Sequence, residues 1–173
     1  MLIALRSIVA YFVILVYIAT AGPVGLFCAL VLGWDRVLWA LGHAGVGLAL
    51  ASTGIRYRVR GREHIPSTAA VFCSNHESNV DPPVLFRALH PRLHVLYKAE
   101  LHKFPIMGRV FDVGGFVPVD RRNRERAMAA IETAAASLRA GHPFLIFPEG
   151  TRSRTNELLP FKKGGFIDRK SVV

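Results

Sequence analysis

Charge is almost missing from the first 53 residues of this 173-residue chain, which contain only Arg6, Asp35 and Arg36 as charged groups. A run of 27 residues without charge extends from Ser7 to Gly33, and a second run of 19 extends from Val37 to Ile55. A helix needs roughly 20 apolar residues to cross the hydrocarbon core of a bilayer. The first run is therefore long enough to cross, and the second is marginal.

Cysteine is also scarce, because the chain contains only Cys28 and Cys73. Their positions have no metal-ligand spacing, so we interpret them as buried free thiols in a reducing compartment. The chain lacks the Gly-x-Ser-x-Gly pattern, which argues against a serine hydrolase. It also lacks the signature of a nucleic-acid recognition module, so we expect no nucleic-acid partner.

Positive charge dominates the remainder of the chain, where 20 basic and 11 acidic residues give a formal net charge of +9. A basic domain that follows an apolar segment indicates an anionic partner surface. Membrane phospholipid or a phosphorylated substrate fits this pattern.

The apolar segment is predicted to be a two-helix hairpin over residues 3–54, which either crosses the membrane or lies in one leaflet. A signal peptide is the alternative, but the apolar run continues past the small-residue pattern Ala19–Ala21 and a second run follows it. Four arginines follow the hairpin and place the next domain on the cytoplasmic face of a cell membrane: Arg56, Arg58, Arg60 and Arg62.

The pattern changes at Ile55 and predicts an α/β domain over residues 55–173, with a mixed, mainly parallel sheet flanked by helices. Helices are expected from Pro82 to Leu89 and from Arg124 to Arg139. The expected strands are a half-exposed one at Ile55–Val59 and four others: Val71–Cys73, which should be buried, Leu93–Tyr97, Gly115–Val119 and Phe144–Phe147. Ligands of such sheets bind beyond the strand ends.

The sequence SNHESNVDPP, from Ser74 to Pro83, follows the predicted strand Val71–Cys73 and contains His76 and Asp81 five residues apart. A carboxylate that accepts a hydrogen bond from one ring nitrogen fixes the tautomer and leaves the other nitrogen able to take a proton from a hydroxyl. Asp81 also precedes Pro82 and Pro83, where an N-cap of a helix is typical. The local pattern is compatible with either role, or with both.

Two further strand ends carry arginines. The sequence FPEGTRSR, from Phe147 to Arg154, combines a glycine, a hydroxyl and two arginines and is typical of a phosphate-binding loop. The sequence VPVDRRNRER, from Val117 to Arg126, adds Arg121 and Arg122, while Arg124 and Arg126 fit a solvated helix start. Together these ends suggest a base beside an anion site.

These motifs resemble those of the glycerolipid acyltransferases, and they are most similar to the 1-acylglycerol-3-phosphate, or lysophosphatidate, acyltransferase branch. NHESNVD resembles the family's N-H-x-x-x-x-D motif and FPEGTRSR its F-P-E-G-T-R-S block, while YKAELHKFPIMGRV and GGFVPVDR resemble the intervening blocks. The resemblance extends from about Ile55 to Phe166, with the blocks in the family's order.

The resemblance implies a role for each of these positions. His76 would deprotonate the sn-2 hydroxyl of lysophosphatidate, which attacks the thioester of acyl-CoA or acyl carrier protein, and Asp81 would orient His76. The phosphate would be bound by Arg121, Glu149, Gly150, Thr151 and Arg152, with Asn75, Lys98 and Lys103 as further candidate site residues. No metal and no cofactor are implied beyond the acyl donor as co-substrate.

Alternatives remain open at this stage. The acceptor could be glycerol 3-phosphate, another lysophospholipid or an acyl-lipid such as an ornithine lipid precursor, and a non-catalytic, membrane-anchored basic module would explain the apolar segment and the charge. The family continues beyond a block like PFKKGGF (Pro160 to Phe166) through a helix to another apolar strand. Here IDRKSVV follows instead, so we expect the sheet to be incomplete at the C-terminus.

Overall fold

The computed structural model describes residues 2–120, 122–155 and 157–162. Its helices are α1 (Leu2–Leu30), α2 (Asp35–Thr53), α3 (Asp81–Ala88), α4 (Pro105–Val113) and α5 (Arg124–Arg139). Its strands are β1 (Val71–Cys73), β2 (His94–Lys98), β3 (Val117–Val119) and β4 (Phe144–Ile146). Short 3₁₀ turns lie at Arg62–His64 and Ala99–Lys103.

The strands form one sheet in the order β1-β4-β2-β3, and every described pair is parallel. Helices connect consecutive strands, as parallel pairing requires. This confirms the predicted α/β class with a mainly parallel sheet. The expectation of an incomplete sheet concerns residues 163–173 and lies outside the described residues.

Helix α5 begins and ends at the predicted residues because its sequence contains both boundary signals. The Asn123 side chain accepts a hydrogen bond from the backbone N–H of Arg126 at 3.0 Å and caps the first turn. Beyond the last turn, Gly141 adopts φ +97°, a left-handed conformation that favours glycine.

Four details differ from the sequence predictions. Residues 55–60 form no strand, because alternation does not supply a hydrogen-bonded neighbour and none pairs with them in the described part of the chain. Strand β1 is not buried but lies at an edge of the described sheet, so Val71 and Cys73 are exposed. The interpretation of both cysteines as buried thiols is therefore wrong, since Cys28 is only partly buried. Helix α4, which has Pro105 at its first position, was not predicted.

Helices α1 and α2 pack against each other in antiparallel directions. The Tyr17 hydroxyl donates to the Leu41 carbonyl at 2.8 Å, and a Cβ atom on Gly45 would meet the Tyr17 ring at 2.5 Å. The absence of a side chain at Gly45 lets the helices approach closely. Among the described helices, the Ser7–Leu30 part of α1, with a mean hydropathy of 2.2, is the one that is long and apolar enough to cross a membrane.

Helix α2 also packs on the α/β domain along most of its length. Trp39 stacks on Phe86 and packs against the core formed by Phe86, Leu93, Val95 and Leu145. At the start of the helix, Asp35 accepts a hydrogen bond from Arg92 at 2.7 Å. The division into two domains at residue 54 stays a prediction. The core of the part after residue 54 is packed against by Trp39, which lies before that boundary.

His94, the first residue of β2, lies beneath α2 with only 5% of its surface exposed. Its ring stacks on Trp39 at 5.4 Å and on His142 at 4.8 Å. Burial, together with the nearby charges of His142, Arg92 and His90, lowers the pKa of His94 to about 4. The ring is therefore neutral in the folded protein near pH 7.

We expect the stability of the protein to fall in acid because of His94. Between pH 6.5 and about 4 the unfolded chain binds a proton at this ring and the folded chain does not, so stability rises with pH across this window. The full contribution is present above about pH 6.5, and at most about 1.4 kcal/mol is lost for each pH unit below it. His94→Phe keeps an aromatic ring and removes the titration. Denaturant unfolding at several pH values gives the free energy of unfolding as a function of pH, which should rise less steeply between pH 4 and 6.5 for this variant than for the unaltered chain. Equal slopes would contradict the low pKa of His94.

Candidate active site

The carboxyl ends of all four strands face the same edge of the sheet, because every pairing is parallel. Cys73 of β1 pairs with Ile146 of β4, so the chain leaves both strands at the same level. The Ser74 backbone N–H then donates to the Ile146 carbonyl at 3.2 Å. This adjacency places the loop that contains His76 beside the loop that contains Glu149 and Arg152.

His76 and Asp81 are in contact, as the sequence predicted. The Nδ1 atom of His76 lies 3.0 Å from Oδ2 of Asp81. The histidine is 8% exposed, and its ring stacks on Phe147 with the centroids 4.1 Å apart. The Nε2 atom has no hydrogen-bond partner among the described residues.

The surroundings of Asp81 determine the tautomer of His76. Oδ2 of Asp81 also accepts hydrogen bonds from the backbone N–H groups of Glu77 at 2.8 Å and Ser78 at 2.7 Å. Burial raises the pKa of Asp81, but the Ser78 amide, the His76 ring and the Glu77 amide outweigh it and hold the pKa below its usual value. The ionised Oδ2 atom has no proton to donate, so its hydrogen bond with the ring must be donated by Nδ1. Nδ1 of His76 therefore carries a proton. The neutral imidazole then has its lone pair at Nε2.

Asp81 does not cap helix α3 as the sequence suggested; it is the first residue of that helix. Pro82 and Pro83 follow it and have no N–H to donate. The first available amide, that of Val84, donates to the Val80 carbonyl at 3.1 Å. The carboxylate turns back toward its own loop and His76 instead.

The loop after β4 makes close contacts with His76. The His76 backbone N–H donates to Oε1 of Glu149 at 2.9 Å, and the backbone N–H of Ser153 donates to the His76 carbonyl at 2.7 Å. Oε2 of Glu149 accepts from the backbone N–H of Leu159 at 2.9 Å. Glu149 is 1% exposed, and Ser153 is also buried.

The other predicted phosphate ligands of this loop lie at the surface. Thr151 and Arg152 are exposed, and Gly150 adopts φ +66°. A Cβ atom on Gly150 would lie 2.8 Å from Cδ of Lys162, so the Lys162 side chain passes beside this loop. Lys162 was not predicted as a site residue, although it belongs to the block PFKKGGF. The available signal was a basic residue that follows the loop.

The remaining candidates are spread over the same sheet edge. Lys98, the last residue of β2, and Lys103, beyond the end of the strand, are both exposed, and Lys98 pairs with Glu100 at 3.3 Å. Asn75 is exposed, and its Nδ2 donates to Oε1 of Glu77 at 2.8 Å. Arg121 lies outside the described residues. Its neighbour Asp120 ends the segment after β3, which is two strand spacings, or roughly 10 Å, from β4.

A cavity of about 520 Å³ lies between the segments that follow β1 and β4. Its polar lining includes Ser74, Asn75, Glu77 and Glu157. It has no lysine or arginine among its described lining residues. Among the described basic candidates, Lys98 and Lys103 lie at and beyond the end of β2, whereas the cavity is lined by the segments that follow β1 and β4. No cluster of three or more histidine, cysteine or acidic side chains that could hold a metal occurs within the described residues.

Comparison with known proteins connects this geometry to a family. A family model described as "Acyltransferase" matches residues 56–167. The chain is 32% identical over 154 residues to a 1-acyl-sn-glycerol-3-phosphate acyltransferase of Limnanthes douglasii, covering 86% of this chain and 54% of that protein. A protein of the same name from Saccharomyces cerevisiae is 29% identical over 162 residues, covering 88% and 54%.

A solved structure is also similar. The crystal structure of the 1-acyl-sn-glycerophosphate (LPA) acyltransferase of Thermotoga maritima matches with a TM-score of 0.84 and 26% identity, covering 98% of this chain and 70% of that one. The chain spans about half the length of the curated relatives that it matches.

Proposed function

Because this chain belongs to the acyltransferase family, we propose that it transfers an acyl group from a thioester to the sn-2 hydroxyl of 1-acylglycerol 3-phosphate, giving phosphatidate. The observation that carries the proposal is the pairing of His76 with Asp81, which leaves Nε2 of a neutral imidazole unpaired within the described residues. The names of the relatives support lysophosphatidate as the acceptor.

The reaction follows from the tautomer of His76. Nε2 takes the proton of the acceptor hydroxyl as the hydroxyl oxygen bonds to the thioester carbonyl carbon. The resulting imidazolium is stabilised by Asp81, whose carboxylate lies 3.0 Å from Nδ1. Collapse of the tetrahedral intermediate breaks the carbon–sulfur bond, and the departing sulfur takes the proton from Nε2 to leave as a thiol. The thioester is that of acyl-CoA or acyl carrier protein, and we propose that the step needs no other cofactor.

The acceptor phosphate is proposed to lie on the basic side of the sheet edge. The exposed Arg152 follows β4, Lys98 ends the adjacent strand β2, and the predicted ligand Arg121 comes after β3 in the sequence. A phosphate there is within a few strand spacings of His76, with Gly150 and Thr151 beside Arg152. The cavity between the segments that follow β1 and β4 presents carboxylates and would repel a phosphate.

Labelled acyl-CoA with lysophosphatidate in detergent tests the proposal, with phosphatidate as the expected product. His76→Ala should lower kcat by about 10²–10⁴-fold, the usual contribution of general-base catalysis, with substrate binding retained. Asp81→Asn should also lower kcat, since an amide can hold the ring but cannot stabilise the imidazolium.

Two outcomes would reject this assignment. Turnover by the His76→Ala variant would end the general-base role, and unchanged turnover by Asp81→Asn would limit Asp81 to holding the loop. Product from glycerol 3-phosphate or another lysolipid, but not from lysophosphatidate, would identify a different acceptor. Binding of anionic vesicles without transfer to any acceptor would favour a non-catalytic lipid-binding module.

Arg152→Ala should raise the KM for lysophosphatidate by about tenfold to a hundredfold, because a charge-assisted hydrogen bond contributes roughly 1.5–3 kcal/mol. The KM for the acyl donor should change little. Arg139→Ala is the matched control, since Arg139 ends α5 at the opposite edge of the sheet. An equal loss with a phosphate-free acceptor such as monoacylglycerol would contradict the phosphate role.

We also propose that the N-terminal helices place the domain on the cytoplasmic face of a cell membrane, with α1 embedded in one leaflet. Helix α1 exposes a set of large apolar side chains that includes Tyr11, Phe12, Leu15 and Phe27. Helix α2 packs on polar elements of the α/β domain: the Arg87 side chain donates to the His43 carbonyl at 2.7 Å. A helix held in this way from Asp35 to His43 does not cross a bilayer while the domain stays in water.

Two single-cysteine variants test this placement in sealed vesicles, after Cys28 and Cys73 are replaced by serine. Leu32→Cys lies between α1 and α2, and Glu132→Cys lies on the exposed face of α5 and reports the side of the domain. A membrane-impermeant maleimide should label both from the same side. Labelling from opposite sides would show that the helices cross the bilayer.

A further inference from the structure

The geometry points to Glu149 as a positioning residue that fixes the catalytic histidine, and not as a ligand of the substrate phosphate. This inference rests on the proposed function, since it concerns the residue that acts there as the base. A carboxylate suits this role because it accepts hydrogen bonds from backbone N–H groups.

Both oxygens of Glu149 are already occupied. Oε1 accepts the backbone N–H of His76 and Oε2 accepts that of Leu159, each at 2.9 Å. Glu149 lies at the wall of the cavity, but with 1% of its surface exposed the side chain has little surface left for a ligand. A carboxylate is also an acceptor only, so it has no proton to donate to a phosphate oxygen.

The hydrogen bond to His76 belongs to a set of contacts that hold this one residue from several directions. Phe147 stacks on its ring, Glu149 binds its backbone N–H, and Ser153 binds its backbone carbonyl. Asp81 binds Nδ1 from the other side. Of the three residues after β4, Glu149 is the one whose side chain bonds to the backbone of His76.

This arrangement has a kinetic consequence. The direction of Nε2 depends on the backbone position of His76 as well as on Asp81, and a misplacement of about 1 Å at a reacting group costs on the order of 10²-fold in rate. Loss of the Glu149 bond should therefore lower kcat and leave the KM of each substrate nearly unchanged. Loss of a phosphate ligand would instead raise the KM for the acceptor and leave kcat and the KM for the acyl donor nearly unchanged.

Glu149→Met is the variant that tests this inference, because its side chain has a similar length and carries no oxygen. Both backbone hydrogen bonds, from His76 and from Leu159, are therefore lost in any side-chain orientation. We expect kcat to fall by roughly 10-fold to 100-fold with both KM values within about twofold of the unaltered chain. Glu132→Met is the matched control, since it makes the same substitution on the exposed face of α5. It should change neither kcat nor the KM of either substrate.

Hydrogen–deuterium exchange provides a second measurement that does not depend on turnover. In Glu149→Met, exchange should increase in residues 74–78 and around Leu159 and stay unchanged in α5. An increased lysophosphatidate KM with unchanged kcat, or unchanged exchange at residues 74–78, would overturn the positioning role. Should the unaltered chain form no phosphatidate, the proposed function fails, and the exchange result still decides whether Glu149 holds His76.

Discussion

Strand β4 pairs with β1 in a register that brings Ile146 opposite Cys73, so the loops that follow the two strands leave the sheet side by side. This pairing joins segments that are about 70 residues apart in the chain. The hydrogen bonds that the backbone N–H groups of Ser74, His76 and Ser153 donate between the two loops all depend on this pairing. Parallel neighbours must be joined by a long connection, and here that connection includes β2 and β3 as well as three helices.

The candidate site uses this adjacency to separate two requirements of acyl transfer. Asp81, the first residue of α3, lies five residues after His76 and fixes the tautomer of its ring, while the loop after β4 determines where the ring lies. Each supplies a different class of contact: a carboxylate on Nδ1 in the first case, and backbone hydrogen bonds with aromatic stacking in the second. A base that is both oriented and immobile loses little freedom when the substrate hydroxyl arrives.

Helix α2 connects the apolar helix α1 with the α/β part of the chain. Its Trp39 belongs to the same packed group as Phe86 and His94, so one helix contributes to the core of the sheet and also supports the exposed apolar surface of α1. Rigid attachment of this kind would keep the site at a constant height relative to the surface on which α1 lies. In the proposed reaction both substrates would carry acyl chains that dissolve in lipid, so such a constraint suits that reaction.

The sequence by itself determined the features that depend on near neighbours in the chain. These are the bounds of α5 between Asn123 and Gly141, the approximate positions of β1 to β4, and the contact of His76 with Asp81 five residues later. Only the tertiary structure decided features that depend on distant partners. It left residues 55–60 without a paired strand, exposed Cys73 at a sheet edge, turned Asp81 away from helix α3, and joined Glu149 to the backbone of His76. The physical reason is that hydrogen bonds between segments require a strand order and register, and alternation or composition within one segment specifies neither.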